Sequence, residues 1–306
     1  MDVNRKFNRR NFFKGAGVAA LGAGLTGLAQ GASAQEMMNE LPISFQRFEL
    51  GDMGVKLMQE NAFALPPGAF GAGAGEGELE MLLESHNLPT SAVNVSVTPI
   101  VLTIGDEVVL LDTGTGQNLL AGLSAIGVEP ESVTRVVISH WHGDHVGGAS
   151  ANGALNFPNA MYHFPEADWN FLQEADSDGA RASLAQMQPA DDAGQLELYS
   201  AGELLSGLEA IAAPGHTPGQ HAFLISSGDD SLMYTADVCN HHVASLIRPD
   251  WGFGFDADVA LAAETRRAIF GRLADEGMRV VTYHFPFPGA GFVSREEDGF
   301  RFTPGS

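Results

Sequence analysis

Three histidines and an aspartate fall within six residues, His140-Trp141-His142-Gly143-Asp144-His145, directly after the apolar run Val136-Val137-Ile138. A β-branched run of this kind reads as a buried strand. Along a strand, residues two apart share a face, so His140 and His142 are expected to point the same way. Asp144 and His145 follow where the chain must turn. Four side chains able to bind a metal therefore converge at the carboxyl end of one strand. Neutral imidazole and carboxylate suit Zn²⁺ and similar borderline cations. A strand end that is merely rich in histidine would need no further ligands, yet the chain supplies them. His216, Asp237 and His284 each stand just beyond another apolar strand. Strand ends in α/β folds gather ligands from distant parts of a sequence into one cleft.

The pattern around these positions is mixed α and β. Strands are expected at 43–50, 55–58, 93–97, 100–104 and 107–112, with a turn at Gly105-Asp106. Helical spacing follows in Leu119, Leu120, Leu123 and Ile126, closed by Gly127. Strand, helix, strand implies a parallel pair joined by a crossover helix. Beyond the histidine cluster, strands are expected at 161–164, 208–213, 222–226, 232–235 and 280–282, and a helix at 166–174. Asp256 is expected to cap a long helix carrying Val259, Ala263, Ile269 or Phe270, and Leu273 on one face, stopped by Gly277. Residues 175–195 are acidic and weakly patterned and receive no assignment. Residues 66–77, from Pro66-Pro67 to Gly77, are Gly-rich, which predicts either disorder or a mobile cover over the site. A short helix is expected at 78–86, stopped by Pro89.

The 306 residues are 44% hydrophobic, enough for a sizeable core, and the formal net charge is -22. Such a surface repels phosphate backbones, so nucleic acid is excluded as a partner and a small molecule is the expected substrate. The lone Cys239 rules out an internal disulfide. At the amino end, Arg9-Arg10 precede Phe12-Phe13-Lys14, an uncharged stretch rich in Gly, Ala and Leu, and Ala32-Ser33-Ala34. This resembles a twin-arginine export signal over residues 1–34, cleaved before Gln35. The stretch is too Gly-rich for a good membrane-spanning helix. The expected location is periplasmic or otherwise exported, with the twin-arginine machinery as a partner in transport. A single hydrolase domain is expected over residues 35–306, and self-association into a homodimer is left open.

The set His140-x-His142-x-Asp144-His145, then His216, Asp237 and His284, resembles the metallo-β-lactamase superfamily, and Asp112-Thr113-Gly114 matches the strand-end motif that precedes the cluster there. The resemblance covers roughly residues 43–303. It implies an α/β fold of four layers, the αβ/βα sandwich, with metals at one edge. It places His140, His142 and His216 on one divalent ion and Asp144, His145 and His284 on a second, with Asp237 bridging both. Zn²⁺ is the expected ion, and Asp144 and Asp237 are the carboxylates expected to take part in catalysis. Within the superfamily, Phe157-Pro158-Asn159-Ala160, Gly215-His216-Thr217-Pro218-Gly219 and the tail from His284-Phe285-Pro286 through Phe300-Arg301-Phe302 are similar to the methyl parathion hydrolase group. Quorum-quenching lactonases are similar in the same ligand set.

The function implied is an exported binuclear hydrolase that cleaves a small neutral ester, lactone or phosphotriester with a metal-bridging hydroxide. The alternatives are an iron-dependent oxidoreductase of the sulfur dioxygenase type, separated by metal identity and oxygen uptake, and a binding protein with a vestigial site, separated by any metal-dependent turnover. Asp112 is expected to orient a ligand imidazole through its other nitrogen. His241, His242 and Arg248 are open between substrate contact and structural duty. His86, His163 and His221 read as structural, and Trp141 and Cys239 as packing.

Overall fold

Alternation along the central strands decides how the layers stack. Val109 and Leu111 face one side and Leu110 the other; Val137 opposes Val136, and Val281 opposes Val280. Strands apolar on both faces must be covered on both faces. The computed structural model describes residues 43–305, so the export signal expected over residues 1–34 lies outside the described residues.

The first half of the chain runs β1 (Phe45–Leu50), β2 (Met53–Met58), β3 (Asn61–Leu65), α1 (Glu78–Ser85), β4 (Val93–Val97), β5 (Ile100–Ile104), β6 (Glu107–Leu111), α2 (Leu119–Ala125), β7 (Arg135–Val137), α3 (Gly143–Val146), β8 (Ser150–Ala151), β9 (Ala154–Leu155), β10 (Met161–Pro165), α4 (Glu166–Glu174), α5 (Asp178–Asp192) and β11 (Leu196–Tyr199). The second half runs β12 (Gly202–Leu205), β13 (Leu208–Ala212), β14 (His221–Ser227), β15 (Asp230–Tyr234), α6 (Ala244–Ile247), α7 (Val259–Glu276), β16 (Arg279–Val281), β17 (Ala290–Glu296) and β18 (Gly299–Pro304). One seven-stranded sheet has the order β1-β2-β5-β6-β7-β10-β11 and the other β12 through β18 in sequence. The β6–β7 pair is parallel across α2, as the strand, helix, strand order predicts.

The sheets face each other across a core of Leu57, Leu102, Leu111 and Val137 from the first and Phe223, Ile225, Tyr234 and Val281 from the second. Outside the first sheet, Leu110, Val136 and Phe164 pack with Leu119 and Leu123 of α2, Leu172 of α4 and Met187 of α5. Outside the second, Met233 and Val280 pack with Ile269, Phe270 and Leu273 of α7. This is the expected αβ/βα sandwich, and each such leucine is worth about 1.5–3 kcal/mol of burial.

The fold fills one gap in the sequence reading and changes two expectations. Residues 178–192 form a helix, capped by the Ser177 side chain accepting from Ala180 N, with Pro189 tolerated near its end. Its weak periodicity hid it. The cap of α7 is Asp258, which accepts from Leu261 N; Val259 is exposed, and the buried stripe is Ala262, Arg266, Ile269, Phe270 and Leu273. Residues 66–77 pack as a wall. Ala72 and Gly252 exchange backbone hydrogen bonds at 3.0 and 2.8 Å, Gly254 N donates to Ala69 O at 2.7 Å, and Phe70 is buried against Phe253. Among the described residues no helix is long and apolar enough to cross a membrane.

Candidate metal centre

The candidate ligands, and Asp112 behind them, all lie beyond carboxyl ends of strands. Asp112 follows β6, His140 lies beyond β7, His216 beyond β13, Asp237 beyond β15 and His284 beyond β16. Strand β7 ends at Val137, so His140 and His142 do not share a strand face; both lie in the bend that leads into α3, with His142 at its cap position. Asp144 and His145 are on the single turn of α3. Two glycines let the chain pass. Gly215 has φ +126°, and a Cβ there would lie 2.3 Å from Ala262 N; one at Gly219 would lie 2.5 Å from Asp168 N. Ala236, just before Asp237, is held at φ 44°, a left-handed conformation costly for a non-glycine residue.

Three sets of ligand atoms each lie within 4.8 Å of one another: His140, His142 and His216; His140, His145 and Asp237; and Asp144, His145 and His284. His142 Nδ1 is 2.8 Å from His216 Nε2 and 3.2 Å from His140 Nε2. Asp237 Oδ1 is 3.1 Å from His145 Nε2, while Oδ2 is 3.2 Å from His284 Nε2 and 3.3 Å from His216 Nε2. All seven residues proposed from the sequence thus meet at one edge, and Asp237 touches members of both outer sets. His140, His145, His216, Asp237 and His284 are buried, His142 is partly so, and the Asp144 side chain is 23% exposed.

The chemistry of this set fits cations. His145 Nε2 and Asp237 Oδ1 are both buried without a hydrogen-bond partner although they lie 3.1 Å apart. Buried polar atoms are paired in folded proteins unless something else satisfies them. Burial, with His145 and His142 beside it, holds the His140 imidazole well below its usual pKa, favouring the neutral form that ligates. Burial pushes Asp237 up, but His284 and His145 outweigh it and keep it ionised.

The nitrogens facing away from the cluster are also held. His145 Nδ1 lies 2.8 Å from Asp112 Oδ2, and Asp112 also accepts from Ser139 N, Ser139 Oγ and Tyr234 OH at 2.7–2.8 Å. Ser139 Oγ is 3.1 Å from His140 Nδ1, so Asp112 supports two histidines. His216 Nδ1 is 2.9 Å from Asp256 Oδ1, and the buried Arg266 guanidinium lies 3.6 Å from Asp256 Oδ2. His284 Nδ1 is 2.8 Å from Ser96 O. Such partners fix the tautomer and ring orientation of a ligand.

Other histidines serve the fold. His241 Nδ1 accepts from Val243 N and Ala244 N, and His221 Nδ1 lies 2.7 Å from Gly219 O. His163 meets Arg135, and His86 meets Leu82 O. His242 and Arg248 line a separate surface cavity, where Arg248 pairs with Asp250 over the Trp251 ring. Burial lifts the Cys239 thiol to about 12. Sequence reasoning missed Asp168, Asp256 and Arg266 at the site. Asp168 lies four residues before buried Leu172 and Arg266 interrupts an otherwise apolar stripe, which marks both as buried without naming their partners.

A family model described as the metallo-beta-lactamase superfamily matches residues 93–284. The uncharacterized protein YobT of Bacillus subtilis (strain 168) is 28% identical over 50% of this chain and 66% of its own length. An N-acyl homoserine lactonase of a Bacillus species is 28% identical over 47% of this chain and 53% of its own length. The chain thus spans about half to two thirds of these relatives. Among solved structures, AidC, a dizinc quorum-quenching lactonase in complex with a product, is similar with a TM-score of 0.82 and 27% identity, over 86% of this chain and 98% of its own. The family match takes in β4 through His284 and so every candidate ligand, and the chain belongs to the metallo-beta-lactamase superfamily.

Proposed function

We propose that the chain is an exported hydrolase with two divalent cations, Zn²⁺ foremost, acting on a small neutral ester, lactone or phosphotriester in the manner of the methyl parathion hydrolase and lactonase group. The observation that carries this is Asp237, whose two oxygens face His145 on one side and His216 and His284 on the other. Paired divalent cations, when bound, lower the pKa of water and polarise a substrate oxygen. His140, His142 and His216 would hold one, Asp144, His145 and His284 the other, and Asp237 both. The partly exposed Asp144 carboxylate, 3.3 Å from His284 Nε2, is placed to take up a proton released as the scissile bond is attacked.

The surroundings favour an apolar, uncharged substrate. Trp141 packs 4.4 Å from His142, Phe253 stacks 5.9 Å from His216, and Phe63 meets His284 edge-on at 6.4 Å. Aromatic walls with a few converging polar groups are the usual form of a small-molecule site. The net charge of -22 disfavours the approach of polyanions. Residues 1–34 carry the export proposal through Arg9-Arg10 and Ala32-Ser33-Ala34.

The test is to recover the native protein from cell fractions, reconstitute it with metal, and assay aryl esters, acyl lactones and phosphotriesters. Processed periplasmic protein with metal-dependent turnover in one class is expected. A full-length cytoplasmic chain would remove export from the reading. Fully loaded protein inert on all three classes would remove hydrolysis of neutral substrates.

A further inference from the structure

Asp168 is a carboxylate on α4 that is fully buried yet belongs to none of the ligand sets. Its Oδ2 accepts from Trp141 N at 3.0 Å and from Thr217 Oγ1 at 2.8 Å, and its Oδ1 accepts from Gly219 N at 2.7 Å. Trp141 stands between His140 and His142, and Thr217 follows His216. One anionic group thus grips two loops that are remote in sequence and carry three candidate ligands of one ion. We propose that Asp168 is a positioning residue, a strap that holds the His140–His142 loop and the His216 loop in register for a single cation.

The inference rests on the metal-dependent reading and adds a residue that sequence and ligand geometry leave out. His142 Nδ1 and His216 Nε2 stand only 2.8 Å apart, so a small slip between the loops would spoil a shared ligation. Asp256, with Arg266 behind it, acts on the His216 ring, whereas Asp168 acts on the loops that carry the rings, through two backbone N–H groups and the Thr217 hydroxyl. A carboxylate is the group required. Three donors point at its two oxygens, and an amide there would turn its own N–H groups toward at least one of them. Gly219 belongs to the same device, because any side chain there would strike the Asp168 backbone.

The experiment measures Zn²⁺ affinity by competition with a chromophoric chelator, in two backgrounds. His284→Ala leaves the His140–His142–His216 set, and His140→Ala leaves the Asp144–His145–His284 set. Adding Asp168→Asn should weaken Zn²⁺ about 10-fold or more in the first background. In the second it should change affinity by less than about twofold. The visible absorption of the Co²⁺ form should change in the first background alone. Equal losses in both backgrounds would show a general loss of structure and overturn the strap; so would unchanged affinity in the first. Wild-type protein that binds no Zn²⁺ would overturn the metal reading and the strap with it. If Asp168→Asn does not fold, Thr217→Val removes one of the three bonds, and its smaller loss must again be confined to the first background.

Discussion

His140, His142 and His216 form one corner of the centre and Asp144, His145 and His284 the other, and the two are held in different ways. The first corner hangs on two loops beyond β7 and β13 and is tied from behind by Asp168, Asp256 and Arg266. The second stands on the turn of α3 and beyond β16. It is held by Asp112 against His145, by Ser96 O against His284, and by Tyr283 OH donating to Asp144 O at 2.6 Å. Asp112 serves both corners, His145 directly and His140 through Ser139; what sets the second apart is that it contains its own carboxylate, partly open to solvent. The difference teaches that the first corner is tied to elements outside the sheets, α4 and α7 with the residues just before it, while the second is tied to strands and strand ends.

Removing what joins the corners is expected to have the largest effect. On the two-cation reading proposed above, Asp237→Asn keeps the shape and removes the charge that would offset repulsion between the ions. The second ion should be lost first, and kcat should fall on the order of 10³-fold or more. The variant should still fold, since the change lies at a strand end and alters little volume. Metal per chain measured alongside kcat is the check. Two tightly held ions with near-native turnover would break the comparison at its root.

A pair of variants weighs the supports against each other. Asp112 accepts from four donors and reaches both corners, His145 directly and His140 through Ser139. Asp256 reaches His216 alone among the ligands. Asp112→Asn should therefore weaken both bound metal equivalents, toward the upper end of about 10–100-fold, and Asp256→Asn only one, toward the lower end. Chelator competition resolves the two equivalents, and a reversed order would mean that Asp112 is not the support the two corners share.

The candidate ligands, which the fold brings together at one edge, were legible in the sequence because metal binding restricts residue type and because the cluster and each later candidate follow an apolar run. The central strands were legible because uninterrupted apolar runs such as Val109, Leu110, Leu111 are dictated by two covered faces. The supports were not legible. Asp256 resembles a helix cap in sequence, and only the fold shows Asp258 in that role and Asp256 against His216. Asp168 and Arg266 act through long-range contacts that no local pattern encodes. The Gly-rich stretch at 66–77 misled for a related reason: its order comes from pairing with Gly252 and Gly254, far along the chain.

The smallest expected effect is a pH dependence that appears only without metal. Burial alone would lower the His216 pKa, but Asp237 and Asp256 outweigh it and raise it from 6.5 to about 9. At His145 burial is likewise outweighed, by Asp237, Asp112 and Asp144, and at His284 by Asp237 and Asp144. A histidine whose folded pKa exceeds its unfolded value contributes stability in full below the unfolded value. That contribution is lost as pH rises through the folded one. Chelator-treated protein should therefore lose Tm as pH climbs from about 6.5 to about 9. Metal-loaded protein should show a flatter profile, because cations then take the place of those protons and bind better as pH rises. Asp256→Asn should remove the part of the slope that belongs to His216 and leave the part that Asp112 secures at His145. A flat profile in the metal-free protein would show that these carboxylates do not hold protons on the histidines when the cations are gone, and one that Asp256→Asn leaves unchanged would show the same for Asp256 at His216.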